Sequence, residues 1–184
     1  MHLDLTLKTN AMATIPTISC LRQLLDEDIS RMIGAELQLK NSLSGWVSNE
    51  NSASLRTLMY EYADVVEKHI RQLEIFCEEE KIGSFKFSNR VMKACIAETD
   101  EKLSYCTTPD VKEACLLAAV QGINHFKISV YGTAAAFAGA VGLQRAGLLF
   151  HEAELDEKEM DERLSYLAEH ELNRKASAPI NLSV

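Results

Sequence analysis

ISCLRQLLDEDISRMIGAELQLKNSLSGWV, residues 18 to 47, decides the fold. Steps of alternately four and three residues from Leu25 land on Ile29, Met32, Glu36, Leu39, Leu43 and Trp46, the spacing of one face of an α-helix sustained over about six turns. The face is apolar except at its middle. There stands Glu36, and an ionised carboxylate in a dry helix interface is costly unless paired, hydrogen-bonded or bound to a cation.

The same reading extends outward. Ser-Asn-Glu-Asn-Ser at 48 to 52 is a turn rich in helix-capping residues. From Leu55 the stepping continues through Met59, Tyr62, Val66, His69, Leu73 and Phe76, which predicts a second helix to about residue 81, ended by Gly83. After a connector from Gly83 to Phe87, a shorter helix over about Ser88 to Tyr105 carries Val91, Met92, Cys95, Ile96 and Leu103 and should pack on the bundle as a flap. Thr107-Thr108-Pro109-Asp110 opens a third long helix, with Pro suited to a first turn and Asp to the positive end of the helix dipole.

That helix should reach Gly139 or Gly142. Its apolar face includes Leu116, Leu117, Val120, Ile123, Val130, Ala134, Phe137 and Val141, and its second half, GTAAAFAGAVG, is built of small residues that let a neighbouring helix approach closely. A fourth long helix over roughly 143 to 171 has the seam Leu143, Gly147, Phe150, Glu154, Glu157, Asp161, Leu164 and Ala168. Two long hairpins with a short helix between them define an all-α four-helix bundle over residues 17–173. Residues 1–16 are expected to be a disordered N-terminal segment, with Met12 an alternative start to Met1, and residues 174–184 a flexible tail.

Composition narrows the function classes. A chain of 184 residues suits one domain with a sizeable core, and only three prolines leave room for long helices. The formal charge of −8 and the lack of a Lys/Arg cluster argue against a nucleic-acid partner, a DNA-coating bundle included. Five cysteines without a C-x-x-C pair suggest reduced thiols in a cytoplasm. The opening residues lack the apolar stretch of a secretory signal, and no run approaches a membrane span; a cytoplasmic protein without membrane contact is expected.

Each long stripe is interrupted near its middle by polar residues: Glu36, then His69, then Asn124 with Lys127, then Glu157 with Asp161. Inward carboxylates and imidazoles from all four helices are how ferritin-like di-iron and di-manganese bundles hold metal, with one Glu from each of two helices and a Glu-x-x-His pair from each of the others. Against that template the ligand set is thin. Val66 stands three residues before His69, Asn124 and Lys127 bring no carboxylate, and only Glu36, His69, Glu157 and Asp161 remain as metal ligands, should metal be retained. Lys127, with Asn124 beside it, supplies an alternative, because an ammonium on a facing stripe can fill a cation's place between acids. On that reading Glu36 and Glu157 are ion-paired structural acids, His69 donates to a carboxylate, Glu154 is solvated, and Tyr62 and Tyr131 aim their hydroxyls at an acid.

The runs GAELQL at 34 to 39, VEKHIRQLE at 66 to 74, VQGINHFKISVYGT at 120 to 133 and LDEKEMDERL at 155 to 164 resemble those of the bacterial YciE/YciF family of ferritin-like, stress-associated proteins, over residues 20 to 173. The resemblance implies a ferritin-like bundle, a homodimer, a di-iron-type centre and a ferroxidase or peroxide-related role. It also implies that Glu36 matches the family's first acid, His69 a position that is His or Gln, and Glu157 and Asp161 the acidic fourth-helix motif. The chain departs from the pattern where Asn124-His125-Phe126-Lys127 replaces Glu-His-Tyr-Glu and where Val65 replaces an acid.

Three readings follow. The first is a divergent stress-associated member with a degenerate centre, no cofactor, and Lys127 in the metal's place. The second is an iron- or manganese-binding protein with weak ferroxidase or peroxide-related activity on Glu36, His69, Glu157 and Asp161. The third is a partner-binding bundle whose dimer face uses the small-residue half of the third long helix. Catalysis is left open, inclining to none, and no small-molecule substrate is identified.

Overall fold

Ser52, Asn89 and Thr108 each turn an extended chain into a helix by accepting hydrogen bonds from backbone N–H groups of the first turn, at Leu55, at Val91 and Met92, and at Val111. In the computed structural model, which describes residues 17–47, 52–82 and 88–177, these caps open three of five main helices. They are α1 (Leu21–Trp46), α2 (Ala53–Glu79), α3 (Arg90–Tyr105), α4 (Pro109–Ala140) and α5 (Gln144–Leu167). A π-helical segment, Ala168–Leu172, and a last turn, α6 (Asn173–Ala176), extend the fifth.

α1 packs on α2 and α4, and α5 packs on the same two, so α1 and α5 face each other across one diagonal and α2 and α4 across the other. Direction follows from contacts at the ends. The Ser52 N–H donates to the Glu113 carboxylate, which puts the starts of α2 and α4 together. Arg22 lies 2.8 Å from Glu80, and Arg145 3.1 Å from Glu79, so α1 and α5 both start where α2 finishes. Neighbours are antiparallel and diagonal partners parallel. This requires one long crossover, and α3 makes it: the Asn89 side chain donates to the Arg31 carbonyl at 3.2 Å, and the Trp46 indole to Asp100 at 2.7 Å, so α3 runs alongside α1. The architecture is an all-α, ferritin-like four-helix bundle with an added short helix between its two hairpins.

Helix ends differ from expectation at α2 and at the last turn, while α4 ends at one of its two expected glycines. α2 stops at Lys81, which takes φ +55° while the Ile82 N–H donates to the Cys77 carbonyl at 2.9 Å. A residue with a Cβ does this at a cost of about 1 kcal/mol that glycine avoids, which is why the sequence pointed to Gly83 instead. α4 ends at Gly142, with φ +81° and the Leu143 N–H donating to the Ala138 carbonyl at 2.9 Å. The last helical turn reaches Ala176, past the expected bundle end at 173. The expected N-terminal segment 1–16, turn residues 48–51, connector 83–87 and tail residues 178–184 lie outside the described residues.

The α5 seam is also displaced. Its buried residues are Ala146, Phe150, Ala153, Glu157, Met160, Leu164 and Leu167; Phe150, Glu157 and Leu164 belong to the expected stripe, but the positions between them are shifted by one. The small-residue half of α4 is occupied by this chain's own α5. A Cβ on Gly147 would lie 3.5 Å from the Ala135 carbonyl oxygen and 3.6 Å from the Gly139 nitrogen. With Ala134 and Ala138 buried there, that side of α4 is spent on intramolecular packing, while Thr133, Ala136 and Ala140 on its other side are exposed. Among the described residues, no helix is long and apolar enough to cross a membrane.

Candidate metal centre

Halfway along the bundle the apolar core gives way to one charged side chain from each long helix: Glu36 from α1, His69 from α2, Lys127 from α4 and Glu157 from α5, all fully buried. The acids occupy one diagonal and the bases the other. The Lys127 ammonium sits between the carboxylates, 3.0 Å from Glu36 Oε2 and 2.5 Å from Glu157 Oε1. His69 Nδ1 lies 3.2 Å from Glu157 Oε1 and 3.5 Å from Glu36 Oε1.

Neutral donors complete each acid. Tyr131 donates to Glu36 Oε1 at 2.5 Å and Tyr62 to Glu157 Oε2 at 2.9 Å. Burial first, then the facing carboxylates, pushes both phenols well above their ordinary pKa, which keeps them protonated donors. Asn124 Nδ2 donates to Glu157 Oε2 at 2.7 Å and to the Glu157 backbone carbonyl at 2.9 Å, tying the acid to its own helix. The ammonium also lies 4.8 Å from the centre of the Tyr62 ring, within cation–π range.

The charges support one another. Burial opposes ionisation of Glu157, yet Lys127 and His69 hold its pKa below the ordinary value. Burial likewise opposes the Lys127 charge, and Glu157 and Glu36 more than offset it, so the lysine stays protonated. For His69, burial is outweighed by its contacts with Glu157 and Glu36, and its pKa is pushed up to about 9. Its second nitrogen, Nε2, is 3.1 Å from Asp156 Oδ2, and Asp156 is held at 2.6 Å by Lys68 near the surface. An imidazolium with a carboxylate at each nitrogen is the state this surrounding favours at neutral pH.

Asp161, expected from sequence among the ligands, lies outside the cluster. Its side chain is 27% exposed, accepts from Gln121 at 2.9 Å, and meets His125 Nε2 at 2.8 Å on the outside of the bundle. Glu154 also faces outward, paired with Lys158 at 2.6 Å. Both sit on the positions by which the expected α5 seam was displaced. Asp156 was missed. The available signal was Lys68-His69 on one helix facing Asp156-Glu157 on another, two charged dipeptides of opposite sign.

The donors can be tested against a metal. Glu36, His69 and Glu157 each offer a ligand atom, and these atoms all lie within 4.8 Å of one another. Glu36 Oε2, Glu157 Oε1 and His69 Nδ1 lack an aligned hydrogen-bond partner, as does the Lys127 nitrogen between the acids. Two inward carboxylates and one imidazole do not fit a two-metal centre, which draws on four carboxylates. A single hard cation suits the three orphaned donors only if the Lys127 ammonium leaves the space between them.

The fold and this four-helix charged layer define a ferritin-like bundle protein. The chain belongs to the family described as Domain of unknown function (DUF892), which matches residues 20–177. It is 28% identical over 149 residues to Protein YciF of Escherichia coli strain K12, across 80% of this chain and 90% of that protein. The crystal structure of the E. coli stress protein YciF superimposes with a TM-score of 0.75 at 25% identity, covering 88% of this chain and 100% of that one. YcfI from Rhodopseudomonas palustris shares the fold with a TM-score of 0.74 at 21% identity, over 80% of this chain and 94% of that one.

Proposed function

We propose that this is a YciF-type bundle whose centre is neutralised from within, Lys127 standing where a ferritin-like relative would hold metal, and that it serves as a non-redox, stress-associated protein. The observation that carries this reading is the fully buried ammonium within 3.0 Å of Glu36 and 2.5 Å of Glu157. Stress association rests on the description of E. coli YciF as a stress protein. A cytoplasmic homodimer without nucleic-acid contact belongs to the same reading, the last point supported by the net charge of −8.

A second reading has its own support in the convergence of Glu36, His69 and Glu157, each of which offers a ligand atom within 4.8 Å of the others. Under it, Lys127 withdraws and one iron or manganese ion binds, giving weak ferroxidase or peroxide-related activity. Metal analysis of protein purified from iron-supplemented cells separates the two. The lysine reading expects substoichiometric metal in the natural chain and a gain of bound metal in Lys127→Glu. Stoichiometric metal in the natural chain, lost in Glu36→Gln, would establish the second reading instead.

A further inference from the structure

Where the crossover helix meets the bundle, two thiols come together. α3 ends at Cys106, whose thiol donates to the Lys102 carbonyl at 3.3 Å, folding the side chain back over its own last turn. Only Thr107 and Thr108 separate Cys106 from Pro109, which starts α4, and Cys115 lies on the second turn of that helix. α3 and α4 pack against each other, and the Cys115 thiol makes a side-chain contact with that of Cys106. Both are half-buried, so a small oxidant can reach them, whereas Cys77 is buried.

We propose that Cys106 and Cys115 form a dithiol that a hydroperoxide oxidises to an intramolecular disulfide, fastening the crossover helix to the helix that carries Lys127. The first thiolate attacks the peroxide oxygen, forms a sulfenic acid and releases hydroxide or an alkoxide. The second thiol attacks that sulfur, an S–S bond forms, and water leaves, taking up the hydroxyl and the thiol proton. Two thiols lose two electrons and two protons, and the peroxide is reduced by the same two electrons. Burial, then contact with Cys106, raises the Cys115 pKa, while the nearby Lys102 charge opposes the rise. The thiolate fraction is small at neutral pH, so oxidation should be slow and should accelerate in mild alkali.

Lys112 lies between the two cysteines, so trypsin separates them onto different peptides. The full chain is treated with hydrogen peroxide, free thiols are blocked with N-ethylmaleimide, and the digest is read by mass spectrometry with and without dithiothreitol. The expected result is a peptide pair containing Cys106 and Cys115, joined until reduced, formed equally in Cys95→Ser. In Cys115→Ser, the pair should vanish and Cys106 should instead become trappable by dimedone. Recovery of Cys106 and Cys115 as maleimide adducts, or as separate sulfinic acids, under peroxide that oxidises Cys20 would overturn the proposal.

Discussion

Glu157 and Asp161 are acids one turn apart on α5, and their surroundings divide them. Glu157 is buried among Lys127, His69, Asn124 and Tyr62, and every one of those partners is fixed by a helix. Asp161 is 27% exposed and shares solvent with His125 and Gln121. Register, rather than residue type, decides which acid acquires structural weight. Four positions along the helix carry a carboxylate from a site where losing its cation strands a buried charge to one where water replaces the partner.

The largest expected effect lies at the inner site. Lys127→Ala leaves Glu36 and Glu157 buried without their ammonium and should destabilise by about 3–5 kcal/mol in urea unfolding. A change near zero would mean that the lysine reaches water or that the acids take up protons at no cost, and the contrast would collapse. Next comes pH. The folded His69 pKa of about 9 lies above its ordinary 6.5, so its contribution is full below 6.5 and drains as pH rises through 9. At roughly 1.4 kcal/mol per pKa unit, the loss is on the order of 3 kcal/mol. The lowered Glu157 pKa acts oppositely, giving stability above 4.5 that is lost on acidification. Urea midpoints measured from mild acid to pH 10 should fall on the alkaline side in the natural chain and flatten there in His69→Gln; parallel profiles would contradict the imidazolium assignment.

The smallest effects belong to the outer acids. Asp161→Ala and Glu154→Ala should each change stability by less than about 1 kcal/mol, and added salt should reduce even that. A loss at Asp161 as large as that at Lys127 would erase the distinction between the two regions.

The faces of α1 and α2 are unambiguous because all their seam positions but Glu36 and His69 are apolar, and Glu36 and His69 emerge as the exceptions. On α5 the inward positions include Ala146 and Ala153, which say little, while acids flank them on both sides. Two overlapping stripes then share Phe150, Glu157 and Leu164, and Met160 with Leu167 was the signal that favoured the correct one. Lys127 was recognisable as a lysine on an apolar helix face, but its position between two carboxylates depends on four helices meeting, which local pattern does not encode. Asp156 has only a weak signal for the same reason: it approaches His69 from the neighbouring helix, and the opposed dipeptides Lys68-His69 and Asp156-Glu157 point to it only once those helices are known to meet. The Lys81 helix end escaped because a left-handed lysine leaves no signature beside a nearby glycine.

In this structure the positive charge answering the buried acids is the chain's own Lys127, and the unfolding free energy of Lys127→Met, alone and together with Glu36→Gln and Glu157→Gln, tests whether it holds them. The lone substitution should cost several kcal/mol, on the order of 3–5, and neutralising both acids should return most of that loss. A nearly neutral single variant, or a triple variant less stable than the single one, would show that Lys127 does not hold those carboxylates in place.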